Sequence, residues 1–424
     1  MKEELLHFIW KYQLLDINNL KTKEKENIQI IDQGTHNQNA GPDFLNAKVK
    51  IDNTLWAGNI EIHINASDWF AHKHQLNKGY QNVILHVVFN DNLSEQNKIR
   101  LNIPVLEISN IIDINLIEKY EEMIRSKLWI PCYNSINKVT KITKTSWLNR
   151  LIIDRLENRY EEILAIVEKN NNDWLESFYQ YLVKRFGFKT NSEAMLQMAE
   201  ATPLKILSKH KNELFQVEAL LYGQAGMLTN YFTDSYPRKL FKEYSFLKSK
   251  YQLQNISSTN WKYSRLRPPN FPTIRIAQFS NLLFHSNKLF SKIIEAEKLS
   301  DIFDFFNKVK VSSYWQYHYQ FEKFSKRKSA KKLGKKSIEN IIINTIIPFL
   351  FVYGKEKNKE DIINRSIAFL EELPAEKNSI LDNWEKLGFE NNNAAISQAL
   401  LQLKKEFCNK KKCLECGIGT SILK

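Results

Sequence analysis

The sequence lacks any apolar run approaching the roughly 20 residues of a membrane-spanning helix. Its nearest candidate, Ile341 to Tyr353, is too short and is interrupted by Asn344 and Pro348. The N-terminal stretch MKEELLHFIWKYQLL carries Glu3 and Glu4 and no small-residue cleavage site, so it reads as a short amphipathic helix and not as a signal peptide. A cytoplasmic protein with no membrane partner is expected. Cysteine is scarce as well: Cys132, Cys408, Cys413 and Cys416 are the four in 424 residues. In a cytoplasmic chain, three thiols crowded into 408–416 favour metal ligation over disulfides. No repeat of fixed period is present. The segment SKRKSAKKLGKKS (325–337) holds seven basic residues and no acid, and reads as an exposed, mobile loop.

Positive charge is abundant but uneven. Residues 1–120 contain 12 lysines and arginines against 15 acidic residues, whereas 121–424 contain 49 against 32. An excess of +17 confined to one region points to a polyanionic partner such as DNA or RNA, or to a generic basic surface. The length exceeds what one core usually serves. Four segments are expected: an α/β domain over 1–115, a basic helical domain over 116–324, the basic loop 325–337, and a helical region with the cysteine tail over 338–424.

The α/β expectation rests on periodicity. Leu5, Leu6, Ile9, Trp10 and Leu14 fall at helical spacing in 3–15. Strands are expected at 27–33, 44–51, 55–64, 83–89 and 103–108, with loop chemistry over 34–42 and a turn at Asp52-Asn53. Within 44–51, Leu45, Ala47, Val49 and Ile51 alternate with polar residues, while Val83 to Phe89 (VILHVVF) reads as a central strand buried on both faces. Ser67 is expected to cap a helix running to Tyr80. From about residue 111 the pattern becomes helical, with Leu148, Ile152, Leu156, Tyr160, Ile163 and Val167 as one stripe on one helix. The fold class is therefore an α/β N-terminal domain followed by a mostly α-helical region.

The chemistry concentrates in GPDFLNAKVKIDNTLWAGNIEIHI (41–64). Period-2 geometry on strand 55–64 places Asn59, Glu61 and His63 on one face and Ile60, Ile62 and Ile64 on the other. If the two strands pair, Asp43 and Glu61 end near one sheet edge, where two carboxylates suit a hard divalent cation such as Mg²⁺ or Mn²⁺. Simple alternation puts Asp43 on the Leu45/Ala47 face, so a bulge at Phe44 is required. Pro42-Asp43 followed by Glu61-Ile62-His63, in the element order αβββαβ, resembles the PD-(D/E)xK nuclease superfamily over about residues 1–108. That resemblance implies a restriction-endonuclease-like core with Asp43 and Glu61 as metal ligands, the Ile62 carbonyl contributing, and Glu3 or Glu4 as an additional acid. His63 stands where the superfamily has lysine. A histidine there can orient water, accept its proton or bind metal, but is no permanent cation. The whole chain also resembles an uncharacterised bacterial domain-of-unknown-function family, through GPDF, EIH, SDW, HKH, LHVV, RPPNFPTIR and the terminal cysteines.

Three further groups carry candidate chemistry. His72, His74 and His86, with His63 and Asp68, form an alternative zinc or iron site. His72 and His74 converge only if their segment is not helical, and His72, Lys73 or His74 are candidates to replace the missing lysine. His86 also reads as a hydrogen-bonded core histidine. Cys132, Cys408, Cys413 and Cys416 are candidate zinc or iron–sulfur ligands, with Lys410, Lys411 and Lys412 as thiolate-stabilising neighbours. The arrangement loosely resembles the iron–sulfur staple of RecB-like nucleases. Arg265, Arg267 and Arg275, interleaved with Trp261, Tyr263 and Phe271, are candidate nucleic-acid contacts together with Lys326, Arg327, Lys328, Lys331 and Lys332. The arginines equally suit hydrogen bonds that tie helices together. The expected function is metal-dependent phosphodiester hydrolysis; an inactive nucleic-acid-binding scaffold and a histidine-site metalloenzyme are the alternatives.

Overall fold

A computed structural model describes residues 1–286 and 288–424, the side chain of Lys98 excepted. The chain forms two compact units, one of residues 1–148 with 402–424 and the other of residues 149–401. The cysteine tail thus belongs with the N-terminal sheet, not with the helical region 338–424 in which the sequence placed it.

The first unit contains helix α1 (Glu3–Lys11), strands β1 (Ile28–Asp32), β2 (Thr35–His36), β3 (Phe44–Ile51) and β4 (Thr54–Asn65), helix α2 (Asp68–Ala71), strand β5 (Val83–Asn90), helix α3 (Glu95–Leu101), strand β6 (Val105–Glu107), and helices α4 (Ile114–Arg125) and α5 (Lys141–Glu157). The division between the units falls inside α5. The expected αβββαβ order is present, with β2 inside the supposed loop 34–42 and α3 inserted before β6. Strand order is β1-β3-β4-β5-β6, with β2 paired to the start of β3. The β1–β3 and β3–β4 pairs are antiparallel, whereas β4–β5 and β5–β6 are parallel. Six consecutive residues of β5, Val83 to Val88, are buried, as a strand covered on both faces requires. The two-residue β3–β4 turn needs positive φ at its first position, which Asp52 supplies at φ 46°.

Helix α1 buries Leu5, Leu6, Phe8, Ile9 and Trp10 and packs on β4. The expected helix from Ser67 to Tyr80 is instead one turn, α2, followed by 3₁₀ turns at His74–Leu76 and Lys78–Tyr80. Ser67 makes no side-chain cap; Asp68 instead accepts the Asn65 N–H at 3.0 Å. Where β4 meets β5, Gly58 lies so close to the neighbouring chain that a Cβ would stand 2.5 Å from the Asn82 carbonyl oxygen. Gly58→Ala is therefore expected to destabilise the protein by about 1–3 kcal/mol. The reading is a lower urea midpoint at unchanged m; an unmoved midpoint would contradict this close approach.

Among the described residues, the second unit is helical apart from the hairpin His318–Gln320/Lys323–Phe324. The stripe Leu148–Val167 is split between two helices: α5 ends at Glu157 and the next begins at Tyr160. The Arg159 N–H turns back to the Leu156 carbonyl and tightens the junction. Among the described residues, Lys335–Glu356 is the one helix long and apolar enough to cross a membrane, and 72% of its apolar stretch is buried inside the protein. It widens into a π turn at Ile342–Ile346 just before Pro348. Proline has no N–H for the Asn344 carbonyl, and the Tyr181 hydroxyl donates to that carbonyl at 3.3 Å.

Candidate metal centre

A bulge sets the phase of the two carboxylates. Phe44 pairs with Ile60 and Ala47 with Gly58, so Leu45 and Asn46 together oppose Asn59. Asn46 takes φ 58°, and its N–H bonds to Asn59 Oδ1 at 3.2 Å. The irregularity thus lies one or two residues beyond the expected position at Phe44. Phe44 and Ala47 both turn inward, Leu45 is displaced to a half-buried position, and Asp43 faces the side of Glu61. The Asp43 N–H donates to Glu61 Oε2 at 3.2 Å, while the Ile62 N–H donates to Asp43 Oδ2 at 2.8 Å. The Ile62 amide thus holds Asp43 in place. Burial first, and the neighbouring Asp43 second, push the Glu61 carboxyl up to about 9.

Parallel pairing puts His86 beside Glu61 in register, on the face that also carries His63. His63 Nδ1 lies 2.8 Å from His86 Nε2, and His63 Nε2 lies 3.2 Å from His72 Nδ1. His72 and His74 converge because Lys73, between them, adopts the left-handed conformation at φ 60° and reverses the chain. One ring nitrogen each from His63, His72 and His74 fall within 4.8 Å of one another. Glu61 Oε1 completes the group, 3.5 Å from His63 Nε2 and 3.2 Å from His74 Nε2. Of the expected alternative ligands His72, His74 and His86, the first two converge with His63, which was expected alongside them. His86 is fully buried behind His63 as a hydrogen-bonding partner, its other expected role.

Burial and the adjacent imidazoles depress His63 to about 2 and His86 to about 3, and lower His74. Neutral rings present lone pairs and no charge, the state metal ligation requires. Tyr80 stacks on His74 with centroids 3.9 Å apart, and Trp69 packs against both His74 and His86. His72 is exposed and marks the open side.

Sequence reasoning missed His7. It lies one turn beyond Glu3 on α1, and its Nε2 is 3.4 Å from Asp43 Oδ2. Burial lowers its pKa, but the Asp43 carboxylate outweighs this and leaves it raised. Of the two acids proposed on α1, Glu3 faces the site, since its neighbours are His7, Asp43, His72 and Asp68. The i, i+4 spacing of Glu3 and His7 was a readable signal. The buried Nε2 atoms of His7 and His74 have carboxylate oxygens nearby but no well-formed hydrogen bond.

The basic candidates separate by burial. Arg265, Arg267, Lys326, Arg327, Lys328 and Lys332 are exposed. Arg275 is instead 4% exposed, bonded to Gln278, Asn270 and Ser337 and stacked over Phe188. Burial lowers it to about 10, and it ties helices together, the structural alternative for this segment. Lys331 is buried too: its Nζ donates to the Trp315 carbonyl and lies 4.1 Å from the Tyr319 ring centre. The 325–337 segment is thus anchored at Lys331 and Leu333 and does not run freely over the surface.

In the first unit, the four cysteines gather around Cys416, and none forms a disulfide. Of their expected cationic neighbours, Lys410 and Lys412 pair with Glu406 and Glu415, leaving Lys411 to act on Cys413.

These features define the class: a mixed-sheet unit with a histidine–carboxylate cluster, joined to a helical unit. The chain belongs to the family described as "Protein of unknown function (DUF2851)", in a match that spans residues 3–379. No curated protein and no solved structure matches it.

Proposed function

We propose that the first unit is a metal-dependent hydrolytic centre for the phosphodiester bonds of DNA or RNA. Glu61, His63, His72 and His74 hold the ion, with Asp43 beside it. The observation that carries this reading is the convergence of three imidazoles and Glu61 on one point next to a second carboxylate. The buried His74 Nε2, 3.2 Å from Glu61 Oε1 without a well-formed hydrogen bond, further supports a role in ligation. An imidazole-rich set suits Zn²⁺ or Fe²⁺ better than the Mg²⁺ or Mn²⁺ expected from sequence. Such an ion lowers the pKa of a bound water and stabilises charge on a phosphoryl oxygen.

The protein's own groups have distinct roles in this proposal. His86 orients His63 through its ring nitrogen, as a partner behind a ligand does. Asp43, held by the Ile62 amide, is placed to share the ion or accept a proton from water. His63 is thereby a ligand more than a substitute for lysine. The nucleic-acid substrate rests on the +17 excess beyond residue 120 and on the exposed Arg265, Arg267, Lys326, Arg327, Lys328 and Lys332. Unpaired thiols support a cytoplasmic setting.

One observation favours a second reading, a metalloenzyme acting on a small molecule: imidazoles outnumber carboxylates in the cluster. The deciding assay combines metal titration with cleavage of single-stranded, double-stranded and structured DNA and RNA under each ion. The expected result is chelator-sensitive cleavage, together with binding that weakens steeply with salt. Metal uptake without cleavage or nucleic-acid binding would move the assignment to the small-molecule enzyme. Nucleic-acid binding without metal uptake would leave an inactive scaffold.

A further inference from the structure

Cys132 lies between α4 and α5, and the other three cysteines lie in the tail, yet the fold brings all four into one cluster, three of them buried and Cys408 half-buried. Cys408 neighbours Cys416, Cys132 and Cys413; Cys413 neighbours Cys132 and Cys416. Cys132, Cys413 and Cys416 are each at most 8% exposed. Burial pushes the Cys416 thiol up, and groups placed around its sulfur oppose that rise. The backbone N–H groups of Ile418 and Gly419 point at its thiol, and the Trp147 indole faces the same sulfur. A thiolate accepts such bonds far better than a neutral thiol.

This approach requires two glycines. A Cβ on Gly417 would stand 2.8 Å from the Trp147 ring, and one on Gly419 would overlap the Cys413 carbonyl. Three cations are placed to offset accumulated negative charge: Lys144 near Cys132, Lys404 near Cys408 and Lys411 near Cys413. Lys404 and Lys411 also fasten the tail, donating to the Trp129 and Ile124 carbonyls.

We propose that Cys132, Cys408, Cys413 and Cys416 bind one thiophilic metal centre, a Zn²⁺ ion or an iron–sulfur cluster, which pins the C-terminal tail to the N-terminal unit. The shared chemistry is tetrathiolate ligation, with the N–H donors at Cys416 stabilising the bound sulfur. Buried thiols, ordinarily pushed up by their surroundings, become thiolates only when the metal replaces their protons. This site is separate from the histidine cluster and does not depend on its function.

The test uses the full chain purified without chelator under anaerobic conditions, in wild type and in a His72→Ala, His74→Ala background that removes the other metal. Retention of about one zinc per chain, without colour, would support the zinc form. Iron with acid-labile sulfide and visible absorption would support the cluster form. Either metal should be lost from both Cys132→Ser and Cys413→Ser. Because those variants risk misfolding, unmutated sequence is read as well: stripping the metal should expose thiols to a cysteine reagent in step with metal release. Metal-free protein that shows no sulfur-to-metal absorption when Co²⁺ is added would overturn the proposal.

Discussion

Asp43→Asn and Glu61→Gln are each expected to cut metal-dependent cleavage by more than about a hundredfold, since removing even the groups behind a metal ligand costs about 10–100-fold. The two substitutions retain shape and remove charge. Glu61 contributes an oxygen 3.2 Å from His74 Nε2, while Asp43 is held 2.8 Å from the Ile62 amide, so each loss acts directly on the cluster. Glu61→Gln carries a second signature. Burial beside Asp43 makes ionised Glu61 costly in metal-free protein. The neutral amide should therefore raise the melting temperature of that protein near pH 8 while weakening metal uptake. Opposite movements of stability and activity mark functional groups kept at a cost to the fold. His63→Ala is expected to lose metal as well, because His63 sits among the ligands. Full cleavage by Asp43→Asn, or undiminished metal binding by Glu61→Gln, would sink the assignment.

The strands were legible because two patterns survive in the sequence: alternation over 44–51 and a nearly unbroken apolar run over 83–89, which coincide closely with β3 and β5. The spacing of Pro42-Asp43 and Glu61-Ile62-His63 likewise announced the meeting of the carboxylates. The device that makes them meet was less visible. Asn46 at positive φ shifts the parity of β3, and nothing in the local pattern distinguishes it from Phe44 as the bulge site. Convergence of His72 and His74 turned on Lys73, a residue with no special preference for the left-handed conformation. Burial of basic residues was also hidden. Lys331 read as surface charge, and Arg275 equally as a nucleic-acid contact or a helix tie, because their acceptors, the Trp315 carbonyl and the Asn270 and Gln278 side chains, assemble only in the folded unit. The tail was expected to meet Cys132 but was assigned to the helical region, because its other partners at Ile124, Trp129 and Trp147 are distant in sequence.

Affinity of the histidine–carboxylate cluster for its metal is expected to rise with pH by about tenfold per unit between about pH 7 and 9, one proton leaving for each ion bound. Glu61 is the proton's source, since its carboxyl sits at about 9 before the ion arrives and must ionise to ligate it. His63 adds nothing to the slope in this range, because at about 2 it is already neutral. His7 steepens the slope toward neutrality: Asp43 holds its pKa raised, so an ion taking Asp43 expels that proton too. Stability should follow the matching signs. A raised folded-state pKa gives Glu61 a contribution present below its unfolded value of 4.5 and lost as pH rises through about 9. The depressed pKa of His63 works oppositely, with its contribution present above 6.5 and lost as pH falls toward about 2. Metal-free protein should therefore weaken between pH 7 and 9, whereas metal-saturated protein should hold or gain. Calorimetric titration in two buffers of different ionisation enthalpy counts the released protons directly. Glu61→Gln should bind the ion more weakly and lose the slope above pH 8. A wild-type affinity that stays flat from pH 7 to 9 would show that Glu61 does not ligate the ion.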